Sequence, residues 1–313
     1  MTTTTVPFGR LMTAMITPMA EDGGIDYDGA AQLAAYLVDD MRNEGLVLNG
    51  TTGEAPTTTD AEKSRLIKVV LEAVGDRATV VAGVGTNITA HTIELAKQAE
   101  QAGAQGLLVV TPYYSKPAQD ALAAHFTAVA DSTGLPLLIY DIPGRTGAEV
   151  ESETLVKLAE HPKIVGVKDA KDRPGATSWV LARTDLVYYC GSDMLNLPWL
   201  SIGASGFISV VSHVVGDRLF EMIEAFEAGR NRDALMIHQE LLPVYTGIFR
   251  NQAAVLTKAA MDLLGLPGGG VRGPLLTASD AERRKLSDDL TAGGVKLTAA
   301  GGARATSMNG ATL

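Results

Sequence analysis

The sequence predicts an α/β protein, a (β/α)8 TIM barrel with a C-terminal helical appendage. Short apolar runs alternate eight times with stretches of helical periodicity, at a spacing of roughly 25–30 residues, as in successive strand–helix units. A doubly wound open sheet is the competing arrangement. The closed barrel is favoured because no G-x-G-x-x-G pattern follows the first strand and because eight strands are the number that closes a barrel.

The predicted strands are short and rich in apolar residues, which is typical of parallel strands that are buried on both faces. They lie at residues 11–17, 45–49, 79–84, 106–111, 136–142, 164–168, 186–191 and 206–212. The helical patterns between them are clearest at residues 27–41, 60–74, 89–101 and 119–132. Glycine follows several of these helices, at Gly75, Gly103 and Gly134, where helices commonly end.

We expect the barrel to occupy residues 1–229 and the appendage residues 230–291. Two helical patterns, at 232–249 and 253–264, begin the appendage, and a capping-box pattern at Ser279-Asp280-Ala281-Glu282 opens its last helix. The final stretch, residues 292–313, consists largely of Gly, Ala, Thr and Ser, so we predict a disordered tail.

Composition and charge argue against several classes of function. The net charge is −10 and no basic cluster stands out, so we expect no nucleic-acid partner. No apolar run approaches the ~20 residues of a membrane helix, and the first residues lack a signal-peptide core. A single cysteine, Cys190, favours a cytoplasmic protein. The five histidines lack the spacing of ligands, so we expect no metal site.

Lys168 is the most informative residue, since it ends an apolar run, I-V-G-V, that is typical of a buried parallel strand. Burial of an unpaired ammonium is costly, and desolvation favours the neutral, nucleophilic amine. A neutral amine beside a carbonyl substrate forms a Schiff base. Two structural explanations stay open, namely a lysine side chain that extends to water and a lysine that pairs with Asp169.

Polar residues follow most of the predicted strands at their carboxyl ends, where such barrels hold their active sites. They are Thr51 and Thr52 after the second strand, Tyr113 and Tyr114 after the fourth, and Tyr140 and Arg145 after the fifth. Each has a structural alternative: Glu54 beside the threonines as a solvated or capping residue, Tyr140 as a core tyrosine, Arg145 as a surface-turn residue. Because hydroxyls, a guanidinium and an amine converge on one face, we predict an active site that binds carboxylates.

Five motifs resemble those of the 4-hydroxy-tetrahydrodipicolinate synthase (dihydrodipicolinate synthase) family, within the pyruvate-dependent class I aldolase superfamily. They are N-G-T-T-G-E-A-P-T, V-T-P-Y-Y-S-K-P, L-I-Y-D-I-P-G-R-T-G, V-G-V-K-D-A and G-A-S-G-F-I-S-V. The similarity runs in unbroken order over residues 9–290. The segment Y-D-I-P-G-R, together with N-L-P-W-L after the seventh strand, most resembles the actinobacterial type.

The resemblance implies a lyase of lysine and diaminopimelate biosynthesis, in which Lys168 forms an imine with pyruvate. The resulting enamine adds to L-aspartate 4-semialdehyde, and ring closure releases the lysine. Tyr140, Thr51 and Tyr114 match the proton relay of the family, with Tyr114 reaching in from a neighbouring subunit of a homotetramer. No metal or organic cofactor takes part.

The resemblance also implies substrate contacts. Thr52 and Ile208 match contacts to pyruvate, and Arg145 matches the group that binds the semialdehyde carboxylate. We assign Gly191, at the end of the seventh strand, to the substrate-binding residues as well. One departure is the segment R-N-Q-A at residues 250–253, where many relatives carry E-P-N-P. We expect it to leave the chemistry unchanged and to alter subunit contacts.

Two other readings of the same residues stay open. N-acetylneuraminate lyase and 2-keto-3-deoxy sugar acid aldolases share the lysine and the tyrosine, but they usually lack an arginine at the position of Arg145. A non-catalytic sensor of pyruvate-like ligands would be expected to lack Lys168 or Tyr140, and both are present.

Many members of the family are inhibited by lysine. The residues that match their lysine site are Ala55, Asp60, Lys63, Asn87, His91 and Tyr113. The cationic Lys63 would face a cationic ligand there, so we expect weak or absent inhibition.

Overall fold

The computed structural model describes residues 6–298, and it contains a closed barrel of eight parallel strands. The strands are β1 (Leu11–Ala14), β2 (Gly45–Leu48), β3 (Thr79–Gly83), β4 (Gly106–Val110), β5 (Leu137–Asp141), β6 (Ile164–Asp169), β7 (Val187–Cys190) and β8 (Gly206–Ser209). They follow one another around the ring in sequence order, and the pairing of β8 with β1 closes it. The predicted fold class is confirmed.

Helices cover the outside of the ring. They are α1 (Tyr27–Asp39), α2 (Asp60–Val74), α3 (Thr89–Gln101), α4 (Gln119–Asp131), α5 (Pro143–Thr146), α6 (Ser152–Leu158), α7 (Pro174–Leu181), α8 (Asn196–Ser201), α9 (Ser212–Glu227), α10 (Asn231–Glu240), α11 (Leu242–Ile248), α12 (Ala253–Leu263) and α13 (Asp280–Ala292). The last four helices form the appendage, and the boundary predicted at residue 229 lies in the turn between α9 and α10.

The strands are buried along almost their whole length, because helices cover their outer faces and side chains fill the interior. Most predicted strands extend too far at their carboxyl ends, where the chain turns into the loops that carry polar residues. Closure of the ring depends on a glycine. A Cβ atom at Gly206 would lie 1.8 Å from the carbonyl oxygen of Arg10, so only glycine lets β8 approach the chain that enters β1.

The appendage differs from the sequence prediction in two places. The helix predicted at 232–249 is two helices, α10 and α11, because Pro243 in the first turn of α11 has no N–H with which to continue α10. The prediction of a disordered tail from residue 292 is wrong for residues 292–298. The last helix reaches Ala292, and Val295 and Leu297 pack against the core, while the hydroxyl of Thr298 donates to the carbonyl of Leu263 at 3.2 Å. Residues 299–313 of the predicted tail lie outside the described residues.

The capping box predicted at the start of the last helix is present. The Ser279 hydroxyl accepts from the backbone N–H of Glu282, and the Glu282 carboxylate accepts from the backbone N–H of Ser279.

His213, at the start of α9, links the end of the barrel to the segment after β1. Its Nε2 accepts a hydrogen bond from the backbone N–H of Ile16 at 3.1 Å, and its Nδ1–H donates to the carbonyl of Val210 at 2.7 Å. Because a ring nitrogen that accepts cannot carry a proton, this arrangement requires the neutral imidazole. Complete burial lowers the pKa of His213 to about 4.

The stability of the protein should therefore depend on pH through His213. Below its ordinary pKa of about 6.5 the unfolded chain binds a proton at this residue, whereas the folded chain does so only near pH 4. The free energy of unfolding should fall by on the order of 3 kcal/mol as the pH is lowered through this window. We expect His213→Gln to have a flatter dependence of thermal midpoint on pH. Parallel curves for the two proteins would contradict this.

Candidate active site

Lys168 lies in β6 at the mouth of the barrel and is 4% exposed. Its Nζ is 4.3 Å from the centroid of the Tyr140 ring. Burial lowers its pKa to about 8, and Arg145 acts in the same direction, whereas the negative charge of Asp193 opposes both. Such an amine is partly neutral near pH 7 and is available as a nucleophile.

The two structural explanations for Lys168 do not fit the structure. The side chain is buried, so it does not extend to water. The carboxylate of Asp169 accepts hydrogen bonds from the hydroxyl of Thr177 at 2.6 Å and from the backbone N–H of Lys171 at 2.8 Å. Among residues 6–298, no carboxylate forms an ion pair with Lys168.

Tyr140 lies opposite Lys168 on the neighbouring strand β5, because the two residues are partners in the register of the sheet. Burial raises the pKa of Tyr140 to about 12, while the charge of Arg145 and a hydrogen bond with the Thr51 side chain lower it. The phenol is thus protonated near neutral pH, and the side chain of Thr51 lines the same cavity. This pair can carry a proton between the mouth of the barrel and a group bound near Lys168.

The loop after β2, residues 50–54, carries Thr51 and Thr52. Its path is fixed by the hydroxyl of Thr17, which donates to the carbonyl of Gly53 at 2.8 Å. The alternative that Glu54 is a solvated residue does not fit the structure, because Glu54 is 3% exposed. Glu54 does stand at the N-cap position of a short 3-10 helix, Ala55–Thr57, but its side chain makes no capping hydrogen bond and its carboxylate faces the appendage.

A cavity of about 400 Å³ opens at the carboxyl ends of β2 to β5, and Thr51, Tyr140 and Arg145 line it. Arg145 comes from the one-turn helix α5, which ends at Gly147 with a positive φ of 75° that glycine adopts readily. Another cavity, of about 480 Å³, lies at the opposite end of β6 and β7, and none of the predicted site residues lines it.

The ends of β7 and β8 complete the surroundings of the lysine. Ile208 is fully buried in β8. Gly191 follows β7, and a Cβ atom there would lie 3.1 Å from Cε and 3.2 Å from Cγ of Lys168. Glycine at this position therefore leaves room for the lysine side chain.

Asp193 is a residue that the sequence reasoning missed. It is 2% exposed, and one carboxylate oxygen accepts from the backbone N–H groups of Val210 and Val211 at 2.9 and 3.1 Å. It thus fixes the chain after β8, next to Ile208. Of the neighbouring groups that raise the pKa of Lys168, Asp193 has the largest effect. The only signal in the sequence was its place in C-G-S-D at a strand end.

Tyr114 does not join the other predicted residues within one chain. Its side chain is 90% exposed and its backbone has a φ of 75°, which is unusual for a residue other than glycine. Tyr113, its neighbour, lines the cavity. A role for Tyr114 in proton transfer therefore requires a second copy of the chain.

The residues that match the lysine site of the family all line the same cavity. His91 and Asp60 are hydrogen-bonded to each other at 2.9 Å. Lys63 is buried and donates to the carbonyl of Thr58, and burial lowers its pKa. Weak or absent inhibition by lysine stays a prediction.

Two wider features of the described chain bear on its chemistry. None of the helices between residues 6 and 298 is long and apolar enough to cross a membrane. Within the same residues, no group of three or more His, Cys, Asp and Glu side chains is arranged to hold a metal ion.

Residues 7–293 match the model of the dihydrodipicolinate synthetase family. The chain belongs to the dihydrodipicolinate synthetase family. Its relatives include 4-hydroxy-tetrahydrodipicolinate synthases from Acidothermus cellulolyticus, 61% identical over 92% of this chain and 93% of the relative, and from Streptomyces coelicolor, 58% identical over 93% and 97%. The resemblance predicted from the five motifs, including its actinobacterial character, is confirmed.

Solved structures of the family share the same fold. The dihydrodipicolinate synthase of Cyanidioschyzon merolae, with lysine bound, is 38% identical and superposes with a TM-score of 0.90 over 92% of this chain and 99% of that one. The chloride-inhibited dihydrodipicolinate synthase of Acinetobacter baumannii, complexed with pyruvate, is 33% identical with a TM-score of 0.88 over 92% and 100%.

Gly191→Ala should slow the reaction of Lys168 without unfolding the protein. The added methyl group would crowd the lysine side chain and shift its amine by a few tenths of an ångström, and such displacements cost on the order of tenfold in rate. Gly175→Ala is the matched control, because nothing lies within 4 Å of a Cβ atom at Gly175. The rate of borohydride trapping with pyruvate measures the effect. Equal rates in the two variants would show that Gly191 does not set the lysine position.

Proposed function

We propose that this chain forms an imine between Lys168 and pyruvate and uses it to condense pyruvate with L-aspartate 4-semialdehyde. The activity of the chain is that of a 4-hydroxy-tetrahydrodipicolinate synthase, a lyase of lysine and diaminopimelate biosynthesis. The observation that supports the imine is a buried lysine with no carboxylate partner among the described residues and a pKa lowered to about 8.

The neutral amine of Lys168 attacks the ketone carbon of pyruvate, and loss of water gives the imine. The iminium draws electrons from the neighbouring methyl group, so a proton leaves and an enamine forms. The enamine carbon then adds to the aldehyde carbon of the semialdehyde, whose oxygen takes up a proton. Finally the amine of the semialdehyde attacks the imine carbon and displaces the lysine, which closes the ring.

Tyr140 and Thr51 are proposed to move the protons in these steps. The lysine amine lies over the ring of Tyr140, and the pKa of the phenol, about 12, keeps it protonated until a base or a charged intermediate takes the proton. The Thr51 hydroxyl, in the same cavity lining, then passes that proton towards the cavity. Tyr114 would extend the relay from a neighbouring subunit, in keeping with its 90% exposure in the single chain.

Recognition of the substrates divides between two parts of the site. We assign the pyruvate carboxylate to the loop that carries Thr52 and to the surroundings of Ile208 and Gly191. Arg145 lines the cavity at the carboxyl ends of β2 to β5, where a guanidinium can bind the carboxylate of the semialdehyde with two hydrogen bonds. This arrangement favours the semialdehyde over the sugar acids of the related lyases, which present hydroxyl groups.

We further propose that the chain works in the cytoplasm as a homotetramer, a pair of tight dimers, without a metal or organic cofactor. The single cysteine supports a reducing compartment. The exposed Tyr114, in a protein whose aromatic content is 5%, supports a contact with a second copy.

Borohydride trapping tests the covalent step. Incubation with pyruvate and sodium borohydride should inactivate the protein and add the mass of a reduced pyruvyl group at Lys168. Lys168→Ala should be neither labelled nor active. Tyr140→Phe should still be labelled but should lose roughly 10²–10⁴-fold in turnover, the usual range for a general acid–base group. Labelling of Lys168→Ala to the same extent would contradict the assignment.

The second substrate is tested by Arg145→Ala. Because Arg145 lines the cavity and Thr52 does not, the variant should raise the KM for aspartate semialdehyde at least about tenfold and that for pyruvate less than about twofold. Arg183→Ala is a suitable control, since this arginine lies at the other end of the barrel beside the second cavity. Equal changes in both KM values would assign Arg145 a structural role only.

A further inference from the structure

A buried ion pair connects the loop that carries Thr51 to the C-terminal appendage. Lys258, in α12, donates from Nζ to Oε1 of Glu54 at 2.5 Å, and the two side chains are 2% and 1% exposed. The ammonium also donates to the carbonyl of Gly270, and the backbone N–H of Arg272 donates to Oε2 of Glu54 at 2.8 Å. Both carboxylate oxygens are thus held by residues outside the barrel.

A second connection runs beside the first. The guanidinium of Arg272 binds both carboxylate oxygens of Glu62, at 2.6 and 2.9 Å, and donates to the carbonyl of Thr57 at 2.9 Å. Glu62 in turn accepts from the backbone N–H of Thr59 at the start of α2. Residues 54–62 therefore lie between the barrel and the segment around Arg272.

A contribution to stability alone does not explain the buried pair of Glu54 and Lys258. Removing two charges from water costs several kcal/mol for each, and replacing such a pair with apolar residues is often neutral or stabilising. The loop is also unusual in its backbone, because Asn49 and Glu54, on either side of Gly50–Gly53, have φ values of 56° and 58°. A residue other than glycine keeps this conformation only where the surroundings fix it.

The loop between these two positions holds the groups that matter to the reaction. Thr51 and Tyr140 line the same cavity, and Thr52, the residue after Thr51, is 6% exposed. The carboxylate of Glu54 and the ammonium of Lys258 are buried against each other and against the segment of Gly270 and Arg272, so neither is placed to touch a substrate. An effect of the pair on the reaction must pass through the loop.

We propose that Glu54 and Lys258 are positioning residues that hold the Thr51 hydroxyl against Tyr140, so that the appendage controls proton transfer in the barrel. The proposal rests on the roles of Lys168, Tyr140 and Thr51 given above. It predicts that loss of the pair slows proton transfer while the imine still forms. A purely structural pair would instead affect turnover only as far as it affects folding.

The test uses the charge-free double variant Glu54→Gln/Lys258→Met, which keeps the side-chain volumes and leaves no unpaired buried charge. The single variant Lys258→Met leaves the Glu54 carboxylate without its ammonium. We expect the double variant to recover the thermal midpoint relative to the single one, yet to lose roughly 10–100-fold in kcat, as misplacement of a catalytic group does. The final extent of borohydride labelling at Lys168 should be unchanged, and the pH profile of kcat should shift.

Arg218→Met is the matched control. It removes an exposed ion pair between α9 and Glu240 of α10, which joins the barrel to the appendage without touching the loop, so kcat should stay unchanged. A double variant with a normal thermal midpoint and kcat within about twofold of the unmodified protein would overturn the proposal. If the Glu54 and Lys258 variants do not fold, Arg272→Met provides the test. Its side chain is 21% exposed, so this variant should fold, and kcat should again fall while the final extent of labelling at Lys168 stays unchanged. Absence of labelling in the unmodified protein would instead contradict the imine itself.

Discussion

Closure of the parallel sheet into a ring positions every other part of this protein. Because all eight strands run in one direction, their carboxyl ends meet at one mouth, and residues far apart in sequence become neighbours there. The register of β5 and β6 places Tyr140 beside Lys168. Glycine at 206 is what allows β8 to approach the chain that enters β1 and complete the ring.

Buried lysines show how the same side chain serves different purposes. Lys258 and Lys171 are each paired with a buried carboxylate, Glu54 and Asp141, and each also donates to a carbonyl oxygen. Their charges are thereby compensated, and they join segments of the fold. Lys168 faces an aromatic ring instead, and no carboxylate of the described residues is paired with it. Desolvation can therefore remove its charge, and removal of that charge makes it a nucleophile.

Sequence patterns predicted the elements well where a single local signal decides them. The starts of α2, α3 and α4 lie where the apolar periodicity places them, and the capping box at Ser279 opens the last helix. The errors have specific causes. One helix was predicted through Pro243, although proline cannot continue the preceding helix, and the packing of residues 293–298 on the appendage could not be read from a Gly/Ala/Thr composition.

The order of strands and helices, the family motifs and the polar residues at the strand ends could all be predicted from the sequence, because each depends on local pattern and spacing. Which of those residues meet depends on the folded chain. Folding brings Thr51 and Tyr140 into the lining of one cavity, leaves Tyr114 exposed, and pairs Glu54 with Lys258, 204 residues away. The physical reason is that burial and partners fix the charge state and position of a polar group, and both come from parts of the chain that are distant in sequence.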